Sequence, residues 1–131
     1  MIRLGCDQFD RAVHALSDQF SAFELSGVFG VPRGGLCLAV ALSHALDLPL
    51  LGNPTPDALI VDDVYETGRT LVALRLQFPQ ATYAVWVSKC PPQWWFAADV
   101  LVTPEWLLFP WENVDQALAD EQAYRFSRDS G

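Results

Sequence analysis

The sequence predicts an α/β protein: three layers, with a mainly parallel sheet flanked by helices. Three observations predict it. Short, continuous apolar runs such as "VFGV" and "ALIVDD" alternate with longer segments of helical period. Runs apolar on both faces belong to strands covered on both sides, as parallel sheets are. Turn residues follow almost every run directly, as strand-to-helix connections require.

The elements follow in order. Residues 7–23, "DQFDRAVHALSDQFSAF", place Phe9, Val13, Leu16, Phe20 and Phe23 at helical spacing. Residues 26–31, "SGVFGV", form a buried strand ending at Pro32, and "PRGG" is the loop after it. Residues 36–48 are a helix that Pro49 stops. "PLLG" is a short strand, and "NPTPD" at 53–57 is a turn with two prolines. A second buried strand covers 58–63, a helix 68–78 closed by Pro79, and a β-rich strand 81–88. "PPQWWF" is a loop, 98–103 a fourth strand, and 112–126 a last helix before a frayed tail.

With 131 residues the chain is long enough for one domain, 1–131, with a real core. A composition 51% hydrophobic and 18% charged excludes a disordered chain. The longest apolar stretch, Leu36 to Leu51, is broken by His44 and Asp47 and reads as helix plus strand, so no membrane partner is expected. The early Asp7 and Asp10 leave no apolar leader, so a cytoplasmic location is expected. Cys6, Cys37 and Cys90 are odd in number and have no CxxC pair, which fits reduced thiols. A formal net charge of −8 opposes nonspecific nucleic-acid binding. It does not oppose a small anion, because local amides, a few cations and a metal ion outweigh distant, screened charge.

Ligands of parallel sheets gather at the carboxyl ends of the strands. "PRGG", "DDVYETGRT", "SKCPP" and "TPEW" each follow a strand, so all four are expected on one edge of the sheet. In "ETGRT", Gly68 permits a sharp turn opening a helix, whose free N–H groups and the Thr67 and Thr70 hydroxyls form a phosphate cradle. An ordinary Thr N-cap reads the same five residues equally well. Asp62 and Asp63 repel one another unless solvated or paired, and suit vicinal hydroxyls or Mg²⁺. A solvated acidic turn is the bland alternative. Gly34 and Gly35 allow a tight turn with amides facing an anion, and Arg33 forks onto phosphate oxygens. Ser43, His44 and Asp47 share one helix and lack a nucleophile elbow, so they are no triad, and His14 is a helix-surface residue.

The whole stretch "LIVDDVYETGRTL" closely resembles the phosphoribosyl-pyrophosphate (PRPP) signature of the type I phosphoribosyltransferases. "VFGVPRGGLCLAVALSHAL" resembles that family's first strand, its pyrophosphate-binding loop and the next helix. "VWVSKCP" with "TPEWLLFPWE" looks like the purine-specific branch, nearest the bacterial xanthine-guanine enzymes. The resemblance implies transfer of a phosphoribosyl group from PRPP to a purine, a 6-oxopurine preferred, in nucleotide salvage, with Mg²⁺ as cofactor.

It also implies roles for individual residues. Thr67, Gly68, Arg69 and Thr70 would hold the 5′-phosphate, Asp62 and Asp63 the ribose and the metal, and Arg33, Gly34 and Gly35 the pyrophosphate. Lys89 would reach the exocyclic oxygen of the base, Trp106 would stack on it, and the Leu107 backbone would meet its edge. Glu112 would assist the metal, and Glu66 would sit at the acid/base position, usually Asp in purine enzymes. A nonproline cis peptide is expected at Arg33–Gly34, and a dimer or tetramer as the assembly.

One departure is large. Relatives carry a long hood loop before the PRPP strand, whereas only "LLGNPTPDAL" stands here. Trp94 and Trp95, or a neighbouring subunit, are expected to cover the site instead. The alternative to an enzyme is a noncatalytic PRPP- or nucleotide-binding regulator of the same fold. An unrelated α/β protein of phosphoryl transfer leaves the Thr-Gly-Arg-Thr turn and "PRGG" without a joint purpose.

Overall fold

The computed structural model describes residues 1–130, with side chains through Arg125. The chain divides into two compact units, residues 10–103 and residues 1–9 with 104–131. The larger unit holds a parallel sheet of four strands in the order β2 (Val28–Gly30), β3 (Leu59–Tyr65), β4 (Thr82–Ser88), β5 (Phe96–Val100). The smaller unit pairs β1 (Ile2–Arg3) in parallel with β6 (Leu107–Leu108). Helix α1 (Cys6–Phe20) precedes β2, α2 (Leu36–Leu46) follows it, α3 (Arg69–Gln77) joins β3 to β4, and α4 (Val114–Ser130) ends the described chain.

Both faces of the large sheet are covered. Gly30, Val61, Ala84 and Phe96 are in register across the four strands and so share a face. A Cβ on Gly30 would come within 2.7 Å of the Ala39 methyl, so α2 packs directly on this face. The Phe20 ring at the end of α1 meets Phe96 edge-on at 5.0 Å. On the opposite face Ile60, Tyr83 and Val85 pack with Leu71 and Leu74 of α3. The expected three layers are thus present. The interior of β3 and β4 reads as a near-continuous apolar run because both faces are buried: Leu59, Ile60, Val61, Ala84, Val85 and Trp86 are wholly inaccessible.

From β2 the chain steps outward through α2 to a single parallel bridge between Leu50 and Val28. It then turns back past β2 to β3 on the other side. The strand expected at "PLLG" is that one bridge. The reversal makes the β2/β3 pair a topological switch point, where a crevice opens at the carboxyl ends of an α/β sheet.

Several boundaries move. The first helix stops at Phe20 rather than residue 23, and the second at Leu46, where Asp47 takes a left-handed conformation (φ 52°) and donates its N–H to the His44 carbonyl. The fourth strand of the sheet runs 96–100 rather than 98–103, since Phe96 already pairs with Ala84. The last helix begins at Val114 and continues past residue 126, where a frayed tail was expected, to Ser130; Gly131 lies outside the described residues. Strands β1 and β6, two residues each, are additions to the sequence reading.

Candidate active site

Strand β2 delivers "PRGG", β3 delivers "DDVYETGRT" and β4 delivers "SKCPP" to the same edge, because all three strands are parallel. Residues 103–106, "TPEW", cross the boundary between the two units, and Trp106, Leu107 and Glu112 belong to the smaller one. The expected convergence therefore holds for three loops within the larger unit.

The first two loops touch. A Cβ on Gly34 would run into the Asp63 carboxylate, so only glycine lets the β2 loop close over β3. Gly35 is just as confined, with the Val61 carbonyl oxygen 2.5 Å and the Val31 nitrogen 2.9 Å from where its Cβ would be. The Gly35 N–H donates to the Val31 carbonyl at 2.8 Å, closing the turn that presents Arg33. The nonproline cis peptide lies inside this turn, at Pro32–Arg33, one bond before the expected Arg33–Gly34.

Both helices that start at this edge have glycine N-caps and no side-chain cap: Gly35 for α2 and Gly68 for α3. Thr67 Oγ1 stands 3.5 Å from the Arg69 N–H, too long for a firm cap. Thr67 is therefore not a firm cap of α3, whose first turn opens on Gly68 with no side-chain cap. Charge placement agrees. α1 and α4 carry Asp7 and Asp115 in their first turns, whereas α2 and α3 carry no acidic residue there. In a chain of net charge −8, the helix starts at this edge are the ones free of acidic side chains, which suits an anion. Arg33 and Arg69 are exposed and form no salt bridge among the described residues.

A cleft of about 180 Å³ lies here, lined by Asp62 and the run from Val64 to Leu71. Asp62 forms its acidic end. Loss of water around its carboxyl, reinforced by the charge of Asp63, pushes its pKa up to about 8. Burial also raises Asp63. A carboxyl raised this far, beside a second that burial also raises, is set to exchange its proton for hydroxyl donors or a cation. Among the described residues no group of three or more His, Cys, Asp or Glu side chains gathers as a metal cage. Mg²⁺ needs none, since it is commonly held by one or two carboxylates with substrate phosphates and water. The Asp62–Asp63 pair fits that donor set.

Glu66 lies at the far side of the cleft, its Oε1 3.4 Å from Lys89 Nζ. The Lys89 side chain is only 7% exposed, and its backbone N–H donates to the Tyr65 carbonyl at 2.9 Å. The acid/base candidate and the base-binding cation thus stand together at the ends of adjacent strands. In the smaller unit, Leu107 pairs with Ile2, and the Trp106 indole N–H is buried without a hydrogen-bond partner among the described residues. Glu112 Oε1 accepts the Phe109 N–H at 2.9 Å, capping its own turn.

Trp94 and Trp95 are not a lid. Trp95 is 5% exposed and stacks on Tyr65 with centroids 3.7 Å apart, and Trp94 sits edge-on to Tyr65 and Tyr83 under the Arg75 guanidinium. The prolines around them turn the chain inward, and the rings fill the α3 face of the sheet. Tyr65 itself, a mere spacer in the sequence reading, lines the cleft. An aromatic just ahead of the turn glycine was the available signal. Ser43 and Asp47 are spent locally, Ser43 Oγ donating to the Leu48 carbonyl at 2.6 Å.

A switch-point cleft with an acidic pair at one end and an uncapped glycine-started helix at the other is the architecture of the type I phosphoribosyltransferases. Comparison with known proteins agrees. A xanthine-guanine phosphoribosyltransferase of Roseobacter denitrificans is 35% identical over 85 residues, which cover 62% of this chain and 45% of that protein. The aligned stretch thus spans less than half of that relative. A xanthine-guanine phosphoribosyltransferase of Chromohalobacter salexigens is 26% identical over 132 residues, covering 81% of this chain and 80% of its own. The crystal structure of a purine phosphoribosyltransferase from Pyrococcus horikoshii Ot3 superposes with a TM-score of 0.71 at 28% identity, covering 86% of this chain and 94% of that one. No protein-family model matches the chain. The chain thus has the fold of the purine phosphoribosyltransferase it superposes on, and the curated relatives it matches are xanthine-guanine phosphoribosyltransferases.

Proposed function

We propose that the protein is a compact, Mg²⁺-dependent purine phosphoribosyltransferase of nucleotide salvage, moving the 5-phosphoribosyl group of PRPP to a 6-oxopurine and releasing pyrophosphate. The observation that carries this reading is the pairing of two uncapped, acid-free helix starts with the Asp62–Asp63 pair at one switch point. An anion at each helix start and a hydroxylated ring between them is the shape of PRPP.

The Thr67–Thr70 turn holds the 5′-phosphate with amides, hydroxyls and Arg69. The turn at Gly34–Gly35 and Arg33 receive the pyrophosphate. Asp62 and Asp63 accept the ribose hydroxyls, fixing the sugar for attack at its anomeric carbon. When bound by these two carboxylates, Mg²⁺ supplies positive charge against the leaving pyrophosphate. Positive charge develops on the ribose as its bond to pyrophosphate lengthens, and preorganised donors at the helix starts meet the negative charge that departs. Glu66 handles the proton of the incoming purine nitrogen, and Lys89 meets the exocyclic oxygen. Stacking by Trp106, the edge contact of the Leu107 backbone and metal assistance from Glu112 are carried over from the family resemblance, as is assembly into a dimer or tetramer. The three unpaired cysteines fit a reducing, cytoplasmic setting, and no helix among the described residues is long and apolar enough to cross a membrane.

The test is incubation with PRPP, Mg²⁺ and each of guanine, xanthine, hypoxanthine and adenine, with detection of nucleotide. Nucleotide from a 6-oxopurine is expected. PRPP binding without product from any base would instead make the chain a noncatalytic sensor.

A further inference from the structure

Tyr65 takes no part in the chemistry above, yet it meets two parts of the site, the Gly68 turn and the Lys89 loop. Gly68 has φ 74° and sits directly on Tyr65: a Cβ there would collide with the phenol oxygen and the ring. No side chain caps the Gly68 turn, so its height above the sheet is set from beneath. The Tyr65 ring is itself fixed. Trp95 stacks on it with planes 11° apart, and the Trp95 indole N–H donates to Ser88 Oγ at 3.1 Å. Ser88 is fully buried and donates in turn to the Cys90 carbonyl at 2.6 Å. The Tyr65 carbonyl accepts the Lys89 N–H. One residue therefore underlies the phosphate turn through its ring and ties the Lys89 loop through its backbone.

We propose that Tyr65, clamped by Trp95, is a positioning residue that fixes the Thr67–Thr70 amides for the ribose phosphate. This rests on the reading of that turn as the phosphate cradle. The stack does for the turn what a side-chain cap does elsewhere, without occupying the amides the phosphate needs. An amide shifted by about 1 Å loses much of its worth to a bound phosphate.

The test measures ribose 5-phosphate binding by calorimetry and steady-state kinetics for the wild type, Tyr65→Leu, Tyr65→Phe and Trp95→Leu, each with a thermal melt. Tyr65→Leu loses the stack and is expected to weaken ribose 5-phosphate and raise KM for PRPP about tenfold, with kcat within about threefold. Tyr65→Phe keeps the stack and should stay within about threefold of wild type throughout. A cooperatively folded Tyr65→Leu that binds ribose 5-phosphate like the wild type overturns the proposal. So does a Tyr65→Phe as impaired as Tyr65→Leu, which would make the hydroxyl a direct ligand. Should Tyr65→Leu fail to fold, Trp95→Leu decides, since it removes the ring that clamps Tyr65 and an unchanged KM for PRPP there overturns the proposal equally. Wild-type protein that binds no ribose 5-phosphate sinks the cradle reading itself, before any variant is compared.

Discussion

Lys89 Nζ lies 3.4 Å from Glu66 Oε1, joining the ends of β3 and β4 across the mouth of the cleft. Glutamate is one methylene longer than the aspartate usual at this position in purine enzymes, and here that length is used to reach the lysine. With Lys89 only 7% exposed, the pair is drier than a surface ion pair. Under the proposed function it brings the proton acceptor and the cation to the same purine.

Glu66→Gln removes the acid/base function while keeping shape. We expect kcat to fall by about 10²–10⁴ with KM for PRPP little changed. Lys89→Met is expected to raise KM for the purine instead. A double variant no worse than Glu66→Gln alone would show that the two act as one unit. Wild-type turnover in Glu66→Gln would end its catalytic assignment.

Gly34 tests the contact between the two loops. In Gly34→Ala the new methyl meets the Asp63 carboxylate, so either the β2 loop or the acidic pair must move. Overpacking of this kind costs about 1–3 kcal/mol, and PRPP affinity should fall with it. Gly52 has nothing within 4 Å of its would-be Cβ, so Gly52→Ala is the matched control, expected to leave KM unchanged. Equal behaviour of the two variants in thermal melts and PRPP kinetics would contradict the contact.

Much of this was legible in the sequence, for reasons that separate along physical lines. The covered sheet was legible because β3 and β4 must be apolar on both faces, and the sharp turn before α3 because Gly68 is demanded by its own backbone. Strands β1 and β6 were not, since two residues carry no period. Nor was the fate of Trp94 and Trp95: proline-flanked aromatics look exposed until Tyr65 and Arg75 are seen to receive them. The start of β5 was misplaced for the same reason, Phe96 reading as part of the aromatic loop.

The acidic pair makes stability depend on pH in a definite direction. Asp62 is raised to about 8 and Asp63 is raised with it, chiefly by burial. A carboxyl raised in the folded state favours its protonated form, so its contribution is complete below the ordinary carboxylate range. That contribution is lost as pH climbs from about 4 toward about 8. In EDTA, Tm should fall by several degrees over that window, since about 1 kcal/mol moves Tm by roughly 3–6 °C at this size. Asp62→Asn should flatten the slope and raise Tm at pH 8 while abolishing PRPP turnover. A pH-independent Tm in the wild type would contradict the buried pair.

The segment that replaces the hood is tied down at the wrong end of the sheet to act as one. Ser26 Oγ and Thr55 Oγ1 share a hydrogen bond of 2.8 Å, and the Ser26 N–H donates to the Asp57 carbonyl at 3.2 Å. Both bonds lie where β2 and β3 begin, some six residues of strand, or about 20 Å, from the edge that carries the cleft. Trp94 and Trp95 are likewise committed to the interior. Neither of these segments therefore shields the proposed ribose site from water once pyrophosphate starts to leave, and exclusion of water is what a closing lid normally provides. Pyrophosphate release from PRPP without any purine is accordingly expected above the nonenzymatic rate, lost in Asp63→Asn, and suppressed when guanine is added and nucleotide forms. A wild type that releases pyrophosphate only in strict proportion to nucleotide would show that water is excluded after all, and the smaller unit or a second copy of the chain would then have to supply the cover.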